Sequence, residues 1–560
     1  MSRKPNFMII ITDQQSARPY WPEHWEKENL PAMQWLRANG MSFNRAITNS
    51  CTCSPARVTM LTGLYPAQHG VTEVLEFDNI TRIVEDVTGG PDATEKPTPQ
   101  QVTQALSLNI KERRQQGLSP NLQNLGKILK TAGYNVVFKG KWHLSKPANY
   151  VGSLGQKYWT DADVDQLAER WGFDGWTMPD AGDNLAVENM GGGEVRNDQR
   201  FIDGHGQAAK YGDSIPLEKR EHDSVRHFLT TYDDDKPFCL VVSLVNPHDV
   251  LAYPGTAAGM LPDGTPLYQA AGYRDEDFMH LPINRPPTWN EDLSTKPQAQ
   301  TQFRVVSNQG GGMIAADDEK SQLAYCRFYA YLCKHVDHQI MEVIKTLQGT
   351  KHFEDTVIVR LSDHGDMAMA HGLQRQKMFN VYEETLNVPF IIANHPLIAK
   401  GEETDALVSL IDVLPTLSNL AGVPDASRWT FKGRDLTPIL ANPRAEVQDY
   451  LHFTYEDLYF FVPAASHIRA IVEKRWKYAV YYDVHTNAPF EYEMYDMAVP
   501  RDQREVVNLA HPSTPVSPEI AAERERLHQK LIRVMETLGT TPTGIVWPAH
   551  WGEQRRGEEA

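Results

Sequence analysis

The sequence is poor in cysteine and contains no long apolar run. Five cysteines in 560 residues, an odd number without regular spacing, exclude a disulfide framework. No apolar stretch reaches the roughly 18 residues that a membrane-spanning helix needs. The N-terminal apolar run at 7–11 is too short for a signal-peptide core, and no small-residue cleavage site follows it. These absences predict a reduced, cytoplasmic protein that does not cross a membrane.

Positive charge is also scarce. The chain has 55 Lys and Arg against 72 Asp and Glu, a formal net charge of −17 at pH 7. This balance argues against a surface that binds nucleic acid or anionic lipid. The hydrophobic fraction of 41% and the charged fraction of 23% are typical of a globular protein with a sizeable core. Because the overall field repels anions, an anionic substrate would need a local site that captures it.

Short β-branched runs alternate with helical patterns over about the first 420 residues. Strand, helix, strand in this order predicts right-handed crossovers and the α/β class, with a large, mostly parallel sheet sandwiched by helices. The predicted strands are 6–12, 134–138, 237–245, 356–361 and 389–393. The predicted helices are 31–39, one that starts near Ser54 and Pro55, 119–133 and about 317–347.

The length fits about three domains, or one large α/β domain with a small partner. We predict a large domain over 1–445 and a small α+β domain over 446–560, with an antiparallel sheet and a helix at 518–538. Three polar insertions, at 65–117, 147–215 and 250–315, are predicted to shape a pocket. The last residues carry Trp547 and Trp551 and are interpreted as an arm docked on this subunit or on a neighbouring one.

Four predicted strands end in residues that carry chemistry. Strand ends meet at one edge of an open α/β sheet, where ligands bind. A single polar residue after a strand is usually a turn or a helix cap, whereas four such ends together indicate a metal-and-anion site. These ends supply Asp13, Gln14, Lys141, His143, His248, Asp363 and His364.

Metal ligation is predicted for Asp13, Gln14, Asp363 and His364. Three of these side chains offer oxygen and one offers an imidazole nitrogen, so Ca²⁺ or Mg²⁺ is favoured while Mn²⁺ and Zn²⁺ stay open. Four residues are predicted to surround the metal with positive charge or imidazole: Lys141, His143, His248 and Lys377. Asp366 and His371 are predicted to lie outside the ligand set, or on a helix surface.

The most specific signal is the segment from Cys51 to Gly63, which reads CTCSPARVTMLTG. Cys53 precedes Ser54, the predicted N-cap of a helix, where the helix dipole stabilises an anion. Arg57 would lie one turn into this helix and reach back toward the cysteine. The alternative interpretation is a small buried hydrophobic residue at a helix start.

The pattern of Cys53, Pro55 and Arg57, followed by Leu-Thr-Gly, resembles the signature of the type I sulfatases in the alkaline phosphatase superfamily. Further matches follow in the family's order between residues 13 and 389. They are Asp13, the Gly-Lys-Trp-His run at 140–143, Pro-His at 247–248, Asp-His-Gly at 363–365, Lys377 before Tyr-Glu-Glu at 382–384, and Val-Pro at 388–389.

The resemblance implies a fold, a modification and a set of roles. Cys53 would be oxidised to Cα-formylglycine by a maturation enzyme, and its hydrate would be both nucleophile and metal ligand. Arg57 and Lys141 would steady the oxyanion, and His248 or Lys377 would protonate the leaving group. His143 would help the second hydroxyl to expel sulfate. The sulfate ester of the aldehyde hydrate can expel sulfate and re-form the aldehyde by itself, whereas a sulfate ester on a serine would have to be hydrolysed by water.

The sequence departs from the commoner sulfatase pattern, in which a pair of aspartates and Asp-Asn stand where Asp13-Gln14 and Asp363-His364 stand here. The amide makes the ligand set less negative, which weakens the case for Ca²⁺ and strengthens that for Mn²⁺ or Zn²⁺. This version resembles the arylsulfatase and phosphonate monoester hydrolase branch, which implies promiscuity and a homo-oligomer, a dimer or tetramer. The first hypothesis is therefore a sulfatase for aryl or alkyl sulfate monoesters. The alternatives are a phosphonate monoester hydrolase or phosphodiesterase with sulfatase side activity, a non-catalytic metal-stabilised binding protein, and an enzyme with a plain thiol nucleophile.

Overall fold

The structure is a computed structural model. It describes residues 4–75, 116–147, 159–178, 180, 197–205, 217–255, 263–396, 398–424, 429–457, 462, 464–484 and 488–554. Much of the three predicted insertions (76–115, 148–158, 181–196, 206–216 and 256–262) lies outside the described residues.

Seven strands form the larger sheet, in the order β4-β5-β1-β6-β7-β2-β8. Its pairs are parallel except for β6 with β7 and β7 with β2. The prediction of a large, mostly parallel sheet is confirmed. Its strands are β1 (Asn6–Asp13), β2 (Gly40–Ile47), β4 (Asn135–Gly140), β5 (Phe238–Pro247), β6 (Thr356–Ser362), β7 (Phe390–Ala393) and β8 (Glu402–Ser409).

A second sheet has five strands, in the order β12-β11-β10-β9-β3. The C-terminal strands pair antiparallel, as predicted, and β3 adds a parallel edge from far earlier in the chain. Its strands are β3 (Ser50–Cys51), β9 (Leu451–Tyr455), β10 (His467–Val472), β11 (Trp476–Tyr482) and β12 (Glu491–Asp496). The division at 445/446 stays a prediction.

The described helices surround these two sheets. They are α1 (Glu23–Asn29), α2 (Pro31–Asn39), α3 (Cys53–Thr62), α4 (Pro66–His69), α5 (Leu125–Thr131), α6 (Asp161–Trp171), α7 (Asn197–Asp203), α8 (Leu217–His222), α9 (Val225–Thr231), α10 (Leu267–Ala270), α11 (Asp275–Phe278), α12 (Gln298–Gly311), α13 (Glu319–Gln348), α14 (Ala370–Leu373), α15 (Glu383–Leu386), α16 (Val413–Leu420), α17 (Thr437–Ala441) and α18 (Pro518–Leu538).

The side chains of β1 alternate between two cores, one on each face of the large sheet. Phe7, Ile9 and Ile11 join a core with residues of α3, α5 and α16, while Met8 and Ile10 join another with α2 and α13. A strand covered on both faces reads as a continuous apolar run, which is why NFMIIIT is a strong strand signal. The second sheet packs one face on α18.

Two expectations about local structure are wrong. The helix predicted over 119–133 begins only at Leu125, because the Asn124 side chain accepts a hydrogen bond from Lys127 N at 3.0 Å and caps it there. The helix predicted to be capped by Ser54 begins at Cys53, with Thr52 as N-cap. The hydroxyl of Ser54 instead accepts a hydrogen bond from Leu75 N at 3.2 Å.

Trp547 and Trp551 pack on their own chain. The Trp547 ring lies 5.3 Å from the Tyr482 ring, and the Arg524 guanidinium lies 3.2 Å from the Trp551 ring centroid. Of the two docking modes considered for this arm, the structure therefore supports docking on the same subunit. Among the described residues, no helix combines the length and the apolar character needed to cross a membrane.

Candidate active site

Four parallel strands deliver the predicted residues to one edge of the large sheet. β1 ends at Asp13, β5 leads into His248, β6 leads into Asp363, and β4 leads into Lys141. The turn after β4 requires Gly140, which has a φ of 93°. A Cβ atom there would lie 1.9 Å from the Ser243 carbonyl oxygen, so no larger residue fits.

The carboxylates of Asp13 and Asp363 each direct one oxygen toward cations. Asp13 Oδ2 lies 2.6 Å from Lys141 Nζ and 3.1 Å from Arg57 Nη2, and Asp363 Oδ2 accepts a hydrogen bond from Arg57 Nε at 2.8 Å. All four side chains are buried. Although burial opposes it, the positive charge of Lys141 holds the pKa of Asp13 well below its usual range. Arg57 therefore donates hydrogen bonds to both carboxylates, and its charge also acts on Cys53, toward which it was predicted to reach.

The second oxygen of Asp13 points to the opposite side, where Cys53 and His364 lie. Cys53 Sγ is 3.2 Å from His364 Nε2 and 3.8 Å from Asp13 Oδ1. One ligand atom from each of Asp13, Cys53, Asp363 and His364 lies within 4.8 Å of the others. We call these four residues the donor cluster. Burial raises the pKa of the Cys53 thiol to about 12, and the Asp13 carboxylate adds to this rise.

Gln14 and Lys377 lie beside the donor cluster. The backbone N of Gln14 donates to Asp363 Oδ1 at 3.1 Å, and its side-chain Oε1 accepts from Lys377 Nζ at 2.6 Å. Asp366, which was expected outside the ligand set, accepts from Gln14 Nε2 at 2.6 Å. Of its two predicted placements, the structure supports the one outside the ligand set but in contact with it, because Asp366 is fully buried and therefore not on a helix surface.

The two predicted histidines are buried at the same edge of the sheet. Burial, followed by the charge of Lys141, holds the pKa of His248 well below its usual value, so its imidazole is neutral. Neither of its ring nitrogens has a hydrogen-bond partner among the described residues. His143 has a φ of 53°, and its backbone N donates to Asp180 Oδ2 at 2.8 Å. The other Asp180 oxygen accepts from Trp142 N at 2.8 Å.

Sequence reasoning missed several residues that hold the site. Ser243 Oγ accepts from Arg57 Nη1 at 2.8 Å, and Asp180 fixes the Trp142–His143 backbone. Thr52 Oγ1 donates to Asp457 Oδ2 at 2.7 Å just before the cysteine helix. Ser243, Asp180 and Asp457 belong to no motif, and Thr52 lies in the cysteine segment but outside the positions that carry the resemblance. Their only sequence signal is that each is a polar residue inside an apolar or irregular stretch.

His371 lies in a separate buried cluster. Its Nδ1 is 2.6 Å from Glu291 Oε2, and its Nε2 is 3.4 Å from Glu384 Oε2. Lys296 pairs with Glu291 at 2.9 Å, and Lys477 from β11 pairs with Glu505. We call these residues the ion-pair cluster: Glu291, Lys296, His371, Glu384, Lys477 and Glu505. His371 has a φ of 47° and is buried, so its placement on a helix surface is also wrong.

The strand ends of this sheet gather two carboxylates, buried cations and a cysteine, a set of groups typical of a hydrolase active site. The chain belongs to the sulfatase family. The sulfatase family model matches residues 5–423. A second model, described as the C-terminal part of N-sulphoglucosamine sulphohydrolase, matches residues 370–537.

Named relatives agree with this assignment. The chain is 25% identical over 526 residues to a choline-sulfatase of Rhizobium meliloti (strain 1021), which covers 92% of this chain and 84% of the relative. It is 24% identical over 513 residues to arylsulfatase K of Rattus norvegicus, which covers 91% of this chain and 75% of the relative. The protein is thus a sulfatase, a hydrolase of sulfate esters, and the predicted family and enzyme class are confirmed.

Solved structures share the fold. A 2-O GAG sulfatase superposes with a TM-score of 0.63 at 22% identity, covering 96% of this chain and 93% of its own. A phosphonate monoester hydrolase from Silicibacter pomeroyi superposes with a TM-score of 0.58 at 19% identity, covering 95% and 96%. The alkaline-phosphatase-like fold is therefore confirmed.

Proposed function

We propose that Cys53 is converted to Cα-formylglycine by a maturation enzyme and that the modified residue is the nucleophile for sulfate monoesters. The observation that carries this proposal is the position of Cys53. It stands at the first residue of α3, fully buried, with its Sγ 3.2 Å from His364 and 3.8 Å from Asp13. A hydrated aldehyde at this position would supply one hydroxyl to attack sulfur and a second to release sulfate.

The donor cluster and Gln14 suit a divalent metal. Two carboxylates, an amide oxygen and an imidazole form a mostly oxygen donor set, which supports Ca²⁺ or Mn²⁺ with Zn²⁺ as a further candidate. When bound, such an ion would supply positive charge that acidifies the attacking hydroxyl and screens the ester anion. Arg57 and Lys141 hold the Oδ2 atoms of the two aspartates, which leaves Asp13 Oδ1 on the side of Cys53 and His364.

We assign the proton donor for the leaving alkoxide to Lys377. His248 is neutral because of burial and Lys141, and a neutral imidazole must first gain a proton before it can give one. Lys377 is 4% exposed and already donates to Gln14 beside the donor cluster. We assign His248 and Lys141 to the binding of the ester oxygens, and His143 to proton removal when sulfate is released.

Formylglycine formation is testable because trypsin should release residues 46–57, AITNSCTCSPAR, as one peptide that contains both Cys51 and Cys53. Conversion of Cys53 removes about 18 Da and leaves one alkylatable thiol instead of two. Cys51 is thus an internal control for alkylation. A peptide that is fully alkylated at both positions would overturn the formylglycine proposal and favour the thiol alternative.

The substrate class is tested with matched 4-nitrophenyl esters of sulfate, phenylphosphonate and phosphate (the last as the diester). We expect the sulfate monoester to have the highest kcat/KM, and we expect a chelator to abolish turnover. The alternative, a phosphonate monoester hydrolase or phosphodiesterase, is favoured by the Gln14 and His364 pair in place of the commoner ligands. A kcat/KM for the phosphonate ester that exceeds that for sulfate by orders of magnitude would replace the first assignment.

Substrate, oligomeric state and cellular location are also proposed. A small-molecule sulfate ester is the proposed substrate. A homo-oligomer in the cytoplasm is proposed from the family resemblance and the low cysteine content, without support from the C-terminal tryptophans, which pack on their own chain. Size-exclusion chromatography with light scattering distinguishes a monomer from a dimer or tetramer.

A further inference from the structure

Asp366 has a rigid carboxylate directed at Gln14. Its backbone N donates to Ser16 Oγ at 3.1 Å, and its Oδ1 accepts from Ala368 N at 2.7 Å. The Tyr325 hydroxyl lies 3.3 Å from both carboxylate oxygens. Because Oδ1 is held by a backbone N–H, Oδ2 is the oxygen that faces the Gln14 amide.

The chemistry of its neighbours fixes which way the Gln14 amide points. A lysine ammonium can only donate a hydrogen bond, and a carboxylate can only accept one. Gln14 Oε1 accepts from Lys377 Nζ, and Gln14 Nε2 donates to Asp366 Oδ2, both at 2.6 Å. The same Nε2 also donates to Gln376 Oε1 at 3.3 Å. Turning the amide over would place two donors together at Lys377 and two acceptors together at Asp366.

We infer that Asp366 is a positioning residue that sets the polarity of the Gln14 amide, so that Gln14 presents its oxygen to Lys377 and keeps it available as a metal ligand. An amide oxygen is a suitable ligand for a hard cation, whereas the NH₂ group is not. The inference rests on the proposed function only in taking Gln14 as a metal ligand. The polarity itself follows from contacts among the chain's own residues.

The proposal explains why a carboxylate, and not an amide, suits position 366. In D366N the introduced amide would keep its oxygen on the Ala368 N–H, because that donor is part of the backbone. Its NH₂ group would then face Gln14 and drive that amide to turn over. The NH₂ group of Gln14 would point at Lys377, where it meets another donor.

A reciprocal exchange tests this arrangement. In the double variant Q14E/D366N the carboxylate and the amide change places, with side-chain lengths and net charge unchanged. The introduced carboxylate can accept from Lys377 and from the introduced amide at once. In Q14E two carboxylates face each other, and in D366N two NH₂ groups do. The double variant again pairs one hydrogen-bond donor with each acceptor.

The experiment measures wild type, Q14E, D366N and the double variant in three ways. These are the Tm of the metal-free protein, the Kd for Mn²⁺ by competition with a chelator, and kcat and KM for an aryl sulfate. We expect D366N to weaken Mn²⁺ binding by roughly 10- to 100-fold. The double variant should recover most of this loss and should melt above both single variants.

Asp337 provides a matched control, since it is another buried aspartate. Its carboxylate accepts hydrogen bonds from the backbone N–H groups of Ala32 and Met33. D337N should lower Tm without changing the Kd for Mn²⁺. A D366N protein that binds Mn²⁺ like wild type would overturn the proposal. A double variant would also overturn it if its Kd for Mn²⁺ were no lower than that of the weaker-binding single variant, or its Tm no higher than that of the less stable one.

If D366N does not fold, Q14E and the double variant still decide the question. The proposal requires the metal-free double variant to melt above Q14E, and the reverse order overturns it. A wild type that binds no Mn²⁺ would contradict the metal part of the proposed function instead, because the metal-free Tm comparison does not depend on it.

Discussion

The donor cluster and the ion-pair cluster are both buried groups of charged side chains, yet they are built differently. In the ion-pair cluster three acids meet three cations: Glu291 with Lys296, Glu505 with Lys477, and Glu384 with His371. In the donor cluster Asp13 keeps one oxygen on Cys53 and His364 rather than on a cation. The two ring nitrogens of the nearby His248 have no hydrogen-bond partner among the described residues.

We interpret this difference as the one between a structural charge network and the proposed reactive site. A buried ion pair stabilises a fold only when each charge is matched, and removal of one partner leaves a costly unpaired charge. The charges of the ion-pair cluster are matched within the chain. The cluster joins α14, α15 and residues 291–296 to β11 and to Glu505, which follows β12. The two aspartates of the donor cluster are also paired with cations, Arg57 and Lys141, but only through their Oδ2 atoms. Asp13 Oδ1 therefore lies beside Cys53 and His364 instead of a cation.

The largest expected effect comes from Cys53, the proposed nucleophile in the donor cluster. Cys53→Ala should lower kcat/KM for an aryl sulfate by roughly 1,000-fold or more, because the nucleophile is lost. The Tm should change little, since no charge is left unpaired. Cys51→Ala, two residues away and equally buried, is the control that should keep turnover. Retained turnover in Cys53→Ala would remove Cys53 from the chemistry.

Lys377 and Lys296 can be compared directly, because both are buried lysines. Lys377 borders the donor cluster, and Lys296 belongs to the ion-pair cluster. If Lys377 protonates the leaving group, Lys377→Met should lower kcat by roughly 100- to 10,000-fold for esters with poor leaving groups. The loss should be much smaller for 4-nitrophenyl sulfate, whose leaving group needs little protonation. An equal loss for both esters would instead assign Lys377 to anion binding.

Lys296→Met should show the opposite behaviour. Loss of this ammonium leaves the buried Glu291 with His371 as its remaining cationic partner. Removal of one partner from a buried ion pair costs about 3–5 kcal/mol of unfolding free energy. Urea unfolding measures this loss, and kcat of the protein that remains folded should stay near wild type. A fall in kcat without a fall in stability would show that the ion-pair cluster is part of the active site.

The pH dependence of stability should also separate the two clusters. Despite its burial, Glu384 and Glu291 raise the pKa of His371 from 6.5 in the unfolded chain to about 9. Its contribution to stability is therefore complete below pH 6.5 and is lost as the pH rises through about 9, by at most about 3 kcal/mol. His371→Gln should flatten this fall in urea unfolding. Parallel curves for variant and wild type would contradict the assignment.

The sequence predicted the residues whose chemistry is local. β1, β4, β5, β6 and β7 were recognisable because strands buried on both faces are continuous apolar runs. The residues after these strands follow from the rule for sheet edges, and Cys53 with Arg57 follows from a motif. The strands β2 and β8 were missed. β2 follows directly on α2, and β8 carries Glu402, Glu403 and Asp405, which hide its strand pattern.

The contacts that complete the site could not be predicted, because they join residues that are far apart in the chain. Asp366 and Gln14 are separated by 352 positions, and His371 and Glu291 by 80. No periodicity or motif encodes such a pairing; only the folded sheet brings them together. The same holds for β3, a strand of two residues that pairs with β9 about 400 residues later.

The smallest expected effect concerns Tyr382, whose ring packs against His371 of the ion-pair cluster. The Tyr382 ring stacks on His371 with centroids 3.8 Å apart and an angle of 6°, and its hydroxyl donates to Gln300 Oε1 at 2.8 Å. Stacking of a protonated imidazole on this ring should contribute about 1 kcal/mol. Tyr382→Phe keeps the ring and loses only the hydrogen bond, whereas Tyr382→Leu loses both. The difference between their unfolding free energies should therefore be larger at pH 6.5, where His371 is charged, than above its pKa of about 9. A difference that does not change with pH would show that the ring packs on His371 without stabilising its charge.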